Sequence, residues 1–335
     1  MKSSLRGAAG AAAIQGNRTS PALDRHAPPA LAMTNPGRRR SVLLAWTDHE
    51  QTLGYVLVAP VVILLLALVA YPFAIAIGYA LSDRTLADAG SFVGLRNFVN
   101  LCQDDIYRLT LRNTALYTLG SVSAKIVLGL GLALLLNAAI PFRRLFRALF
   151  LLPWIVPTVL GTMAWLWMFT PNFSVINWVL VHAGLMREGL PWLTDPDLAL
   201  VSVITVNTWR GTPFIAITVL AGLQSIPADL YDASAIDGAG RWRSFRHITL
   251  PLVSPVLLTA VVLSIIWTVS DFSVVYGLTQ GGPMNATHVL ATYSYRDALS
   301  AGNIGEGAAV SLTMLPLLLV LIVWQLRRVR RSTAV

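Results

Sequence analysis

Long apolar runs, separated by short polar segments, dominate the chain. A helix that crosses about 30 Å of hydrocarbon needs roughly 20 apolar residues. Six segments reach that length: residues 54–81, 115–140, 148–169, 199–223, 252–278 and 307–326. Prolines stand inside several of them (Pro60, Pro72, Pro153, Pro157, Pro213, Pro255, Pro316). Neighbouring helices can re-satisfy the backbone groups that proline frees, so these prolines do not disqualify a span. Three spans carry charge: Lys125 in the second, Arg210 in the fourth and Asp271 near the end of the fifth. The pattern predicts an all-α membrane protein with six transmembrane helices.

Arginine near the span ends sets orientation. Arg38, Arg39 and Arg40 precede the first span. Arg143, Arg144 and Arg147 lie between the second and third. Arg241, Arg243 and Arg246 lie between the fourth and fifth, and Arg327, Arg328, Arg330 and Arg331 follow the sixth. With six spans, all four clusters fall on one side. The opposite loops are balanced or acidic: residues 170–198 hold Arg187 against Glu188, Asp195 and Asp197. Both termini are therefore expected in the cytoplasm, with the segment 227–251.

Composition agrees with a bilayer partner. The 335 residues are 55% hydrophobic and 12% charged, against about 25% charged in a soluble domain. The net charge of +9 does not point to nucleic acid, because the arginines sit in clusters beside apolar runs and form no stripe. Residues 1–46 are rich in Ala, Gly, Pro and Arg. They read as a disordered basic cytosolic tail ahead of a membrane domain at 47–331, with an organelle transit peptide as the alternative. Met33 is a possible second start. The first span is too long for a cleaved signal, and no clear cleavage site follows it.

The single cysteine, Cys102, rules out a disulfide framework and a cysteine-based metal site. A phosphate-binding loop needs a lysine directly after glycine and before Ser or Thr. The two lysines, Lys2 and Lys125, both lack that setting. No HExxH or GxSxG occurs, and His26, His49, His182, His247 and His288 are scattered. No catalytic or metal site is expected. Any transport is passive or ion-coupled, or is driven by ATP bound to another subunit.

The segment DASAIDGAGRWRSFRHITLP, residues 232–251, is a polar island between apolar runs. Pro227 suits a first helical position and Asp229 the first turn. Gly238 suits a helix end, and Gly240 is a second flexible point. Beyond it Trp242, Phe245 and Ile248 recur every third residue, which predicts a short amphipathic helix. Two short helices meeting at Gly238–Gly240 would form an L-shaped cytosolic element. A helix lying in the headgroup layer would show the same Arg, Trp and Phe.

This segment resembles the EAA motif of binding-protein-dependent ABC importer permeases. In that motif EAA is followed by three residues, then GA, then a later Ile-x-Leu-Pro. Asp237, Gly238, Ala239, Phe245, Ile248, Leu250 and Pro251 match, whereas Asp232 stands for the usual Glu and Ser234 for the second Ala. FRALFLLPWIVPTVLGTMAWLWMFTPNFSVINWVL, NTWRGTPF, LAGLQSIPADLYDA and GLTQGGPMNAT are similar to landmarks of the maltose-type sugar permeases. The likeness covers residues 53–326. It implies the type I importer permease fold in a prokaryotic inner membrane. It further implies an obligate second permease, a dimer of ATP-binding subunits that holds ATP and magnesium, and an extracytoplasmic solute-binding protein. This chain would bind no cofactor itself. The island would be the coupling helix, with Asp232, Ala233, Ser234, Asp237, Gly238 and Ala239 at the ATPase contact.

Intramembrane polar groups usually face a bundle interior or cavity. On the fourth span Asn207, Arg210, Gly211 and Phe214 share one helical face, as do Ser264, Trp267, Thr268 and Asp271 on the fifth. Rings with hydrogen-bonding groups suit sugars. The resemblance implies that these eight positions contact a sugar, a polyol or a glycerol phosphate. Arg210 and Asp271 either pair with each other or meet substrate, with Arg210 on an anionic group as a variant. A secondary transporter coupling ions through the same two residues is the competing reading, although it has no need of a docking island. Lys125 is read as snorkelling or interhelical. Trp165, Trp167 and Phe169 are read as an interfacial belt.

Overall fold

A computed structural model describes residues 50–139 and 141–332. The predicted tail, Met33 and the first arginine cluster lie outside the described residues. The described residues are helical, with one isolated bridge, Ser82 to Phe92, and no strand among them. Four helices are long and apolar enough to cross a membrane. Two bent pairs raise the number to six if each counts as one span.

The chain divides after Val62 into a leading unit and a body from Ile63 onward. The described part of the leading unit begins helix α1 (Glu50–Leu65). A π-helical turn, Leu66–Ala70, then leads into α2 (Tyr71–Ala80), which has Pro72 in its first turn. The same arrangement recurs at Phe245–Thr249, just ahead of Pro251. Proline has no N–H, and its ring crowds the carbonyl four residues back. A widened turn just before it accommodates both defects without breaking the helix. A third π turn, Arg296–Ser300, has no proline after it and no visible cause.

Helices α3 (Arg96–Gln103) and α4 (Asp105–Asn137) follow. The second span was predicted from residue 115. It starts ten residues earlier, because the side chain of Asp104 accepts the Ile106 N–H and caps a first turn rich in charge. It ends at Asn137 rather than 140, and Arg147 then donates to the Leu136 carbonyl, a favourable cation at a helix C-terminus.

The third span is a correction. Residues 148–169 were expected as one helix, but α5 (Arg143–Ile155) and α6 (Thr158–Phe169) meet at 93°. Pro157 disfavours the α conformation for Val156, which is extended with ψ 131°. The expected aromatic belt also dissolves. Phe169 is buried and Trp165 packs on it and on Trp209, with centroids 5.4 and 5.6 Å apart; Trp167 alone of the three is exposed.

After α7 (Val175–His182) comes α8 (Pro196–Gln224), whose N-cap Asp195 accepts from the N–H groups of Asp197 and Leu198. Its bounds lie close to the predicted 199–223. Next are α9 (Ala228–Ile236) and α10 (Arg241–Val269). The second arm of the expected L-shaped element is therefore no separate helix: the amphipathic stretch is the first turns of α10. The predicted fifth span, 252–278, also fails as one helix. It stops at Val269, and α11 (Ser273–Thr279) starts anew. Short α12 (Leu290–Tyr295) precedes α13 (Ile304–Ser332), the predicted sixth span with longer ends.

Helix α4 is the spine of the body. Tyr107 lies in a cluster with Ala80, Leu101, Tyr293 and Val310. Tyr117 joins Phe169, Val203, Val206 and Val274. Ala133 and Leu136 join Ile215, Val219, Leu223 and Val253. Small residues let α4 and α8 approach closely: a Cβ on Gly129 would fall 2.7 Å from the Ile215 side chain. Outward-facing Leu66, Leu68 and Val69 are more than half exposed, a surface suited to acyl chains.

Candidate functional site

The predicted pathway residues converge. Asn207, Arg210, Gly211 and Phe214 on α8 face Ser264, Trp267 and Thr268 on α10 across a cavity of about 40 Å³. Asp271 lies behind this wall. Its position does not follow from helical spacing, because α10 has already ended at Val269. The turn through Ser270 brings it back, and its Oδ1 accepts from the Val274 N–H at 3.4 Å, at the start of α11.

Asp271 is 5% exposed. Its Oδ2 accepts from the Tyr117 hydroxyl at 2.8 Å and from Asn207 Nδ2 at 2.7 Å. Arg210 Nη2 stands 3.8 Å from the same oxygen, while Nη1 donates to Thr158 Oγ1 at 3.0 Å. The two charges thus pair, but at the outer limit of contact. The short bonds to Asp271 come from neutral groups.

Three cavity features were missed in the sequence. Lys125 lines the cavity and donates from Nζ to Thr268 Oγ1 at 3.0 Å; it is interhelical and, at 3% exposure, does not snorkel. Trp154 lines it from α5 and stacks near Phe214, with centroids 6.4 Å apart. Tyr117 supports Asp271. One signal was available: Tyr117, Ser121 and Lys125 follow one another at four-residue intervals, so they share a face of α4. Trp154 sits before the break at Pro157, and no linear pattern points it toward α8. Phe214 and Trp267 complete the aromatic wall, centroids 4.8 Å apart.

Glycine at 211 has a steric cause. A Cβ there would fall 2.5 Å from Lys125 Cε and 3.0 Å from Nζ. Mid-helix glycine costs about 1 kcal/mol relative to alanine. Here it opens the passage through which the lysine reaches the cavity.

The segment that resembles the EAA motif lies at the far end of the same helices. α8 and α9 meet at 70°. α9 closes with the Gly238 N–H donating to the Ala235 carbonyl and the Ala239 N–H to the Ser234 carbonyl. Gly238 has φ +73°, a left-handed conformation that glycine adopts freely. Asp232, Ala233, Asp237 and Gly238 are exposed, as are the apolar side chains of Ile236 and Trp242. Ala239 is half-buried. Ser234 faces inward: its hydroxyl lies 3.0 Å from that of Ser244, and Tyr231 likewise meets Thr249 at 3.0 Å. These two bonds tie α9 to the first turns of α10.

The distance between the sites follows from helix geometry. From Arg241 to Ser264, α10 runs without a break, about 35 Å at 1.5 Å per residue. Both ends of the polar machinery therefore sit on two long helices.

Residues 125–333 match the model of the family described as binding-protein-dependent transport system inner membrane component. The trehalose/maltose transport system permease MalF of Thermococcus litoralis is 34% identical, over 81% of this chain and 91% of that protein. The sulfoquinovosyl glycerol transport permease SmoG of Agrobacterium fabrum is 33% identical, over 85% and 93%. The inner membrane ABC transporter permease YcjO of Escherichia coli K12 is 32% identical, over 84% and 95%. Among solved structures, a chain of a bacterial ABC transporter that imports the acidic polysaccharide alginate superposes with a TM-score of 0.73. It is 24% identical, covering 86% of this chain and 99% of that one, a likeness of fold.

Proposed function

Because the chain belongs to the family of binding-protein-dependent transport system inner membrane components, we propose that it translocates a sugar or sugar-like solute (oligosaccharide, polyol or glycerol phosphate) through an ATP-driven importer. The relatives named for trehalose/maltose and for sulfoquinovosyl glycerol support a sugar-type cargo. The observation that carries the reading is mechanical. The aromatic, hydrogen-bonding cavity lies on α8 and α10, and the same two helices frame the exposed segment Ala228–Gly240.

In this mechanism the chain hydrolyses nothing. A solute-binding protein delivers the solute outside. ATP closes a dimer of partner subunits against α9, with Asp232 at the contact. The α9–α10 ties carry that motion into α10, and the aromatic walls separate to admit the solute. Hydrolysis reverses the motion toward the cytoplasm. A second homologous permease completes the pathway. The cavity of about 40 Å³ is too small for a sugar ring, so binding requires such a separation.

Affinity purification of the tagged chain from its native membrane tests this. A P-loop ATPase and a second permease should copurify in stable proportion. A chain that purifies alone, and carries solute down an ion gradient, would contradict it.

A further inference from the structure

We propose that Lys125 and Arg210 together receive an anionic group of the cargo, so that the solute is an acidic sugar bearing a carboxylate, sulfonate or phosphate. This rests on the reading of the chain as a sugar-importer permease.

The cavity lining contains two cations and no carboxylate. Asp271 is the only acid engaged with the cluster among the described residues, and it lies behind the wall. Its Oδ2 is occupied by Tyr117 and Asn207, and Arg210 approaches no closer than 3.8 Å. Counting Asp271 against Lys125 and Arg210, the cluster keeps one formal positive charge. A buried charge without a counter-charge is costly, and an anionic ligand removes that cost.

Donors are left over on both cations. An ammonium has three N–H groups and a guanidinium five. Among the described residues Lys125 donates to Thr268 alone, and Arg210 to Thr158 with its long contact to Asp271. Bonds from such donors to an anion are roughly twice as strong as neutral ones. Lys125 is enclosed between helices, and Gly211 supplies the gap that seats it. The lysine is thus placed at the cavity by the packing of α4 on α8.

The remaining groups fit the rest of a sugar. Asn207 spends its amide N–H on Asp271, which leaves its buried Oδ1 without a donor. A sugar hydroxyl supplies one. Phe214, Trp267 and Trp154 offer ring faces. A neutral sugar would satisfy Asn207 and the rings but leave both cations facing hydroxyls.

The test uses the assembled importer with its binding protein in proteoliposomes loaded with Mg-ATP. Matched probes are digalacturonate against galactobiose, and glucose 6-phosphate and glucose 6-sulfonate against glucose, with inorganic phosphate and sulfate as free anions. Uptake should be at least about tenfold faster for an acidic sugar than for its neutral partner. Lys125→Met should lower acidic-sugar uptake at least about tenfold, and Lys125→Arg should retain most of it. Should Lys125→Met fail to assemble, Gly211→Ala displaces the ammonium without removing it, and the same loss is expected. Neutral sugars carried as fast, with all three variants indifferent, would overturn this inference and leave the sugar reading intact. Uptake of inorganic anions with no sugar carried would overturn the sugar reading itself.

Discussion

Asp271 shows how a buried carboxylate can be held mainly by neutral donors. Tyr117, Asn207 and the Val274 N–H take up its oxygens, and Arg210 adds a longer contact. Hydrogen bonds to charged groups contribute about 1.5–3 kcal/mol each. In Asp271→Asn the side-chain amide cannot accept from all three, and Arg210 loses its counter-charge. Solute uptake should fall at least about tenfold while the complex still assembles on size exclusion; unchanged uptake would remove Asp271 from the pathway. In the connection between α11 and α12, burial beside Arg296 lowers the His288 pKa to about 4, from about 6.5 in the unfolded chain. The unfolded chain binds the proton first as pH falls, so stability is full above pH 6.5 and declines toward pH 4. The melting temperature should be lower at pH 5 than at pH 7.5, and His288→Gln should narrow that gap. An unchanged gap would mean another group sets it.

Among the elements, α9 and its junction with α10 carry the proposed coupling role. Gly238 sits at φ +73°, where an aspartate is strained and adds a charge at the exposed bend. Gly238→Asp should leave membrane insertion intact and abolish solute-stimulated ATP hydrolysis; normal hydrolysis and transport would remove the bend from the mechanism. The Ser at 234, where an alanine is usual in the resembled motif, has an internal role: it bonds to Ser244 across the junction. Sequence reading picked out this island, its two glycines and seven positions that line one cavity, because polar residues in apolar surroundings stand out and helical spacing groups them; the eighth, Asp271, is brought there by the turn after Val269 instead. It placed the ends of α4 and α10 poorly. Charged residues at 105, 108 and 112 hid the first turns of α4, although Asp104 caps them. The helix end at Val269 and the break at Val156–Pro157 depend on tertiary packing and on one proline among many that are tolerated. Lys125 was legible as an intramembrane charge. Its place at the cavity was not, because that depends on a gap at Gly211 on another helix.

For the whole molecule, the central claim is that energy enters at one end of α8 and α10 and opens a cavity further along them. The body is suited to this. Three hydrophobic clusters pack along α4, while α9 is joined to α10 by two hydroxyl pairs. The most direct test is uptake by the assembled complex in proteoliposomes, with the binding protein outside and Mg-ATP either inside or absent, and with ionophores that collapse proton and sodium gradients. The account predicts uptake that requires internal ATP and the binding protein and is insensitive to the ionophores. Uptake that continues without ATP and stops with an ionophore would contradict it.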